Sequence, residues 1–357
     1  MNKHIKLSKQ SKKLLFSGIT AAALALVVGG PHAVKADSVS GSTLAAQSLN
    51  TKTAKTFPSK SLWPTLPASA KTTGVKNKVT TKSDDSIDAW MPDKNLQQVV
   101  AYNLYGNPNS VDKITKDDLA KLTNLSVTSE LAENDANYYA AAISIKSLTG
   151  LEYATNLVSI DLAPNINYSI DHFGPAYALL HSTLSNINAI KGLKNLDYVN
   201  FQQCSISDIS ALANKPSLTR VSISYNGITD FSPLGSDTNL KLNLTQAYYQ
   251  DVSSNGYYLS SSTPFYTFRY NNLIGIDGKP MKIRVADTDD VQHDHYVKYY
   301  LSNWKKNAGV VSDDGKSVTW DITGISPDPQ ATHYMTINYK GSHGEGGWFI
   351  IPFIVYD

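Results

Sequence analysis

Leu196-x-x-Val199-x-Phe201-x-x-Cys204-x-Ile206-x-x-Ile209-x-x-Leu212 returns 22 residues later as Leu218-x-x-Val221-x-Ile223-x-x-Asn226-x-Ile228-x-x-Phe231-x-x-Leu234. Seven anchors, apolar or Asn/Cys, match in order. That is the signature of a leucine-rich repeat, in which each unit supplies one short strand and one return turn. A single unit cannot bury its apolar face alone, so neighbours must stack on it, and the sheet that results is usually a binding surface.

Working backwards by phase, Leu157-x-x-Ile160-x-Leu162-x-x-Asn165 is an earlier strand that resumes at Leu184-x-x-Ile187-x-x-Ile190. A still earlier copy starts Leu122-x-x-Leu125-x-Val127 and resumes at Ile145-x-x-Leu148-x-x-Leu151. These two units run for 35 and 39 residues, so they carry insertions of 13 and 17 residues at one phase, just after the strand. The insertions should therefore emerge side by side from one edge. The first holds Glu130, Glu133, Asp135, Tyr138 and Tyr139, and the second Tyr168, Asp171, His172, Phe173, Tyr177 and His181, which together predict an acidic, aromatic rim. A fifth strand is expected at Leu240, Leu242 and Leu244, one residue out of phase.

Positions between the strand anchors face the concave side. They are Ser159, Asp161 and Ala163, then Tyr198, Asn200 and Gln202, then Arg220, Ser222 and Ser224. Tyr198 and Arg220 share a column on adjacent strands, and Tyr with Arg is the usual composition of an interface hot spot. The expected ligand contacts are Tyr198, Asn200 and Arg220, with Asp161, Gln202 and Ser222 beside them and Phe173 and Tyr177 on the rim.

Around this core the chain divides by composition. Lys3, Lys6, Lys9, Lys12 and Lys13 precede an apolar run from Leu14 to Gly30, and Ala36 offers a cleavage point, so residues 1–36 read as a secretory signal. Their loss changes the balance from +2 to 26 basic against 30 acidic side chains. Residues 37–83 hold seven Lys against Asp37, lack apolar periodicity and read as a disordered basic linker suited to anionic cell-wall polymer. Trp63-Pro64 is its one oddity, with the look of a short docking motif. Residues 84–357 carry 19 basic and 29 acidic groups, and an acidic body without a basic stripe excludes nucleic acid as a partner. Cys204, the only cysteine, stands at an anchor position and reads as a buried structural thiol.

Residues 84–121 predict a helical cap. Pro92-Asp93 opens a helix through Leu96, Val99, Val100 and Leu104, and Thr115-Lys116-Asp117-Asp118 is a capping box before Leu119. Residues 122–260 are assigned to the repeats and 261–357 to a β-sandwich. The sandwich strands are read at 265–270, 281–285, 317–322, 334–339 and 349–356, with Asp313-Asp314-Gly315-Lys316 as a hairpin turn. Asp287-x-Asp289-Asp290-x-x-His293-Asp294-His295 is oxygen-rich, but its spacing fits no EF-hand or zincin motif, so no metal site is assigned. There is no nucleophile elbow or phosphate loop and no ordered Ser/His/Asp set, so neither catalysis nor a cofactor is expected.

The order of parts resembles the internalin family of Gram-positive surface proteins. Pro92-Asp93-Lys94-Asn95-Leu96 and Lys113 through Leu125 are similar to its helical cap, and Gly150-Leu151-Glu152-Tyr153-Ala154-Thr155-Asn156-Leu157 to its first-repeat signature. Ile276-Asp277-Gly278-Lys279-Pro280 is similar to the start of its immunoglobulin-like adjacent domain. The resemblance implies an α/β-solenoid plus all-β architecture: helical cap, curved parallel-sheet solenoid, then immunoglobulin-like sandwich. It also implies a secreted or cell-surface monomer that binds an extracellular protein or glycan, a mucin or a host receptor among them. The sequence departs from the family in its few repeats, its two bulky insertions and its lack of a Leu-Pro-x-Thr-Gly motif. Release, truncation, or attachment through the basic tail to anionic wall polymer are the expectations.

Overall fold

The computed structural model describes residues 47–48, 54–58, 63–68, 70, 86–286 and 309–357. The signal segment and the Asp287 to His295 cluster lie outside the described residues. Within the stretch read as a featureless linker, two short strands, β1 (Gln47–Ser48) and β2 (Thr56–Phe57), have defined partners described below. That expectation is corrected at these positions, because free sheet edges supply main-chain pairing that composition does not reveal.

The cap forms as its start signals dictate. Helix α1 (Ile87–Trp90) precedes α2 (Lys94–Tyr105), whose N-cap Asp93 accepts from the Asn95 and Leu96 amides. The second Asp93 oxygen accepts from Lys146 N at 2.7 Å, which ties the cap to the first repeat. Thr115 caps α3 (Lys116–Leu119) by accepting from Asp118 N. Leu96, Val99 and Val100 are fully buried against the repeat core, closing an end that would otherwise expose it.

The repeats supply four parallel strands in one sheet: β3 (Asn124–Ser126), β4 (Ser159–Asp161), β5 (Tyr198–Asn200) and β6 (Arg220–Ser222). Register is set by the anchors, with Leu125, Ile160, Val199 and Val221 paired in a row and all fully buried. The expected fifth strand is not at Leu240. Leu242–Leu244 is a 3-10 turn with both leucines exposed, and the next bridge joins Ser222 to Gln246. Two extra residues in this last unit shift its strand position beyond the 22-residue phase.

The remaining strands build two sheets. β7 (Gln250–Ser253), β8 (Gly256–Ser260), β10 (Lys282–Val285), β13 (His333–Lys340) and β14 (Gly346–Tyr356) join β2 in six strands. β9 (Phe265–Arg269), β11 (Gly309–Val311) and β12 (Ser317–Asp321) join β1 in four. Rings meet across the two sheets, Tyr257 against Phe268 and Tyr270 against Phe349, and Trp320 is fully buried between them. Because β7 and β8 pair in parallel with β14, the sandwich begins at Gln250, ahead of the expected boundary at 261. Tyr339 Oη donates to Ile228 O at 2.7 Å, joining sandwich to repeats. β1 runs parallel to β9 and β2 antiparallel to β8, and the Phe57 ring covers Gly256, where a side chain would strike it. Farther along, Trp63 stacks on His181 of the second insertion at 4.2 Å between ring centroids.

Candidate ligand-binding face

Tyr198 and Arg220 are directly paired across β5 and β6, and the guanidinium lies over the tyrosine ring at 4.9 Å. Arg220 also reaches Asp197 at 3.7 Å, so its charge is partly balanced at the surface. Asp161, Asn200 and Ser222 form the next row of the same sheet. Burial raises the Asp161 carboxyl above the ordinary carboxylate range, opposed by hydrogen bonds from the Asn200 side chain and the Ala163 amide. Burial first, and then the Asp161 charge, push the Tyr198 hydroxyl upward. Gln202 Nε2 donates to Gln246 Oε1, which also accepts from Ser222 Oγ. This end of the face is an interlocked set of neutral amides and hydroxyls. Two expected concave positions are corrected: Ala163 is 8% and Ser224 0% exposed, so neither presents itself to a ligand.

The insertions do emerge together. The first folds as α4 (Glu130–Asn134) and α5 (Ala136–Ile143), the second as α6 (Ile166–Phe173) followed by a turn at Pro175–Tyr177. Tyr139 Oη accepts from Asn165 N at 2.8 Å and lies 2.9 Å from Ser169 Oγ, and its ring meets Tyr168, His172 and Phe173. His172 Nε2 lies 2.8 Å from Ala132 O, a second bridge between them. Tyr138 and Tyr139 are therefore core rather than rim: Tyr139 is covered by the adjacent second insertion, and Tyr138 packs on Tyr102 of the cap helix at 5.4 Å. Phe173 and Tyr177 remain half-buried, packed edge to face at 6.0 Å. His181 lies under Trp63, and burial holds its pKa down to about 3.

The anchor residues explain how plain repeats are joined. Asn226 accepts from Ile206 N and donates to Phe201, Ile223 and Ser224 carbonyls, while Gln250 repeats the pattern with Ile228 N, Ile223 O and Ala247 O. Cys204, fully buried, makes long contacts to Leu162 O and Gln202 O, and burial raises its thiol against a hydrogen bond with Ser182, which fits the structural role expected.

One feature escaped the sequence reading. The residues just before the three anchors, Gln203, Tyr225 and Tyr249, have φ of 52°, 59° and 56°. That left-handed conformation costs a bulky side chain about 1–2 kcal/mol. The Tyr225 and Tyr249 rings stack at 5.2 Å, Tyr249 stacks on Trp348 at 5.8 Å, and Tyr248 meets Tyr249 edge-on at 4.9 Å. The signal was a tyrosine preceding the last two anchors, Asn226 and Gln250, hidden because the interval between them is 24 residues. A separate cleft of about 460 Å³ lies where Gly227 and Thr229 face the sandwich, and its rings, Tyr257 with Phe268 and Tyr270 with Phe349, are turned onto one another. Among the described residues no group of three or more His, Cys, Asp or Glu could hold a metal ion, and no helix is long and apolar enough to cross a membrane.

No family model matches the chain, and no curated protein matches it. Among solved structures it is similar to the functional domain of InlJ from Listeria monocytogenes, at 16% identity over 67% of this chain and 50% of that one, with a TM-score of 0.38. It is similar to the CBM51-2 and INT domains of ZmpB from Clostridium perfringens, at 18% identity over 74% of this chain and 35% of that one, TM-score 0.28. It is also similar to internalin C2 from Listeria monocytogenes, at 19% identity over 46% of this chain and 86% of that one, TM-score 0.17. The chain thus spans half of the InlJ domain and about a third of the ZmpB structure.

Proposed function

We propose that this chain is a secreted or surface-displayed, non-catalytic binding protein of internalin-like design, an adhesin that engages an extracellular protein or glycan through the concave face of a curved repeat solenoid. The immunoglobulin-like domain and the helical cap then serve as the two closed ends of that solenoid. The observation that carries the reading is the placement of Arg220 over Tyr198, in register on adjacent strands, with Asn200 and Ser222 in the next row. An arginine supported on an aromatic face presents charge, planar hydrogen-bond donors and apolar area within one patch.

The ligand class includes mucins and host receptors, and no cofactor enters. Immobilised mucin, extracellular-matrix proteins and host-cell surfaces are the probes. Saturable retention of the purified chain on one of them supports the reading, and absence of retention on all three overturns it. The charge segregation favours one other reading, a wall-associated protein held by the seven lysines of residues 37–83. Attachment to isolated cell walls that moderate salt reverses, and that is lost when those residues are deleted, selects it.

A further inference from the structure

The two ends of the repeat strands differ in chemistry. At one end stand Arg220 and Asp197, and at the other the Tyr225–Tyr249–Trp348 stack with Tyr248 against it. Stretches 222–226 and 246–250 contain no Lys, Arg, Asp or Glu, and the charges in the row of Trp348 are Asp251 beside it and Arg284 two strands away. Their accessible polar groups are the Ser222 hydroxyl and the Gln246 amide, joined by Gln202. Two further polar groups, Gln203 Nε2 and Ser224 Oγ, are buried with no hydrogen-bond partner among the described residues. A backbone that only needed to turn would place Gly or Asn at φ near 57°, where neither is strained. Tyrosine occurs there twice, and both rings are half-buried rather than sealed in the core, whereas Trp348 is buried at 6% exposed.

We infer that this end of the sheet is a second binding site, distinct from the Tyr198–Arg220 patch, that takes a neutral oligosaccharide against the half-buried Tyr225 and Tyr249 rings, with Trp348 buried behind Tyr249 as their support. Aromatic faces and edges suit the apolar C–H surfaces of a sugar, while neutral amides and hydroxyls serve its hydroxyl groups without the cations that an acidic polysaccharide requires. The site spans the last repeats and the sandwich, so their junction contributes directly to recognition.

The test titrates the full chain with maltotetraose, cellotetraose, mannotetraose and chitotetraose, with polygalacturonate as the acidic control, and follows Trp348 by fluorescence and by its ring-proton shifts. At least one neutral tetrasaccharide should bind and perturb Trp348. Tyr225→Asn, which keeps the left-handed backbone and removes the end ring, should weaken that binding tenfold or more with a melting temperature within about 3 °C of wild type. Tyr225→Phe, which keeps the ring, should stay within about threefold, and the Tyr198→Ala/Arg220→Ala variant should bind the sugar unchanged. Binding of none of the four sugars overturns the inference, as does equal binding by polygalacturonate. Undiminished binding by Tyr225→Asn, or loss of sugar binding in the Tyr198/Arg220 variant, overturns it too. Should Tyr225→Asn fail to fold, the Trp348 signal in the wild-type chain decides alone: unmoved indole protons on sugar addition contradict the site.

Discussion

Asn165 and Asn226 occupy the same phase of two repeats, eight residues after Leu157 and Leu218, yet they are used in opposite ways. Asn226 turns inward, is 3% exposed and bonds to four backbone groups of its own and the preceding repeat. Asn165 turns outward and caps α6, accepting from the Asn167 and Tyr168 amides. The second insertion thus enters the fold by taking over the anchor residue, whereas the first is capped one residue earlier, by Ser129. Where the side chain caps a helix, the chain leaves the repeat, and the bonds lost between repeats are replaced by Tyr139, which reaches across from the first insertion to Asn165 and Ser169.

The most severe way to press that comparison is to truncate both asparagines. Asn226→Ala leaves buried amide and carbonyl groups unpaired and should cost about 3 kcal/mol by urea denaturation. Asn165→Ala removes a helix cap and should cost about 1 kcal/mol. Equal losses would break the distinction between the two roles. Tyr139→Phe sharpens it at intermediate size. The ring stays, its bonds to Asn165 N and Ser169 are lost, and a destabilisation of about 2 kcal/mol is expected, with faster hydrogen exchange confined to residues 130–143 and 166–177.

A smaller effect separates the second insertion from the plain repeats by pH. His181 is held neutral in the folded protein, with its pKa lowered to about 3 by burial, whereas the unfolded chain takes up a proton near pH 6.5. The unfolded state binds more protons below that value, so this contribution is present above about pH 6.5 and is lost as pH falls toward 3. The loss should be on the order of 1–2 kcal/mol by pH 5. Trp63→Ala uncovers the ring and should flatten this dependence in urea midpoints measured at pH 7 and 5. Identical slopes in both proteins would mean that the stack does not control His181.

Much of this was legible before any coordinates. The 22-residue anchors predicted the β5 and β6 strands, their register and the Tyr198–Arg220 pair, because periodic burial leaves a direct mark on sequence. The shared phase of the insertions predicted their contact for the same reason. What escaped reading depends on contacts distant in sequence. β7 and β8 look like the end of the repeats until β14, roughly a hundred residues on, pairs with them. β2 and Trp63 sit in a lysine-rich stretch whose composition gives no hint that Gly256 and His181 receive them. Tyr225 and Tyr249 became a pair only once the 24-residue interval was seen as a repeat rather than as an end.

We propose that the principal partner binds at the Tyr198–Arg220 end of the sheet. The most direct test of this compares retention of the wild-type chain and the Tyr198→Ala/Arg220→Ala double variant on immobilised mucin, matrix proteins and host cells. Removing the exposed Arg220 and the half-buried Tyr198 should cost no more than about 1–2 kcal/mol of stability, while binding falls at least tenfold, an energetic loss of about 1.4 kcal/mol or more. Equal retention of the two proteins at matched stability would contradict the account.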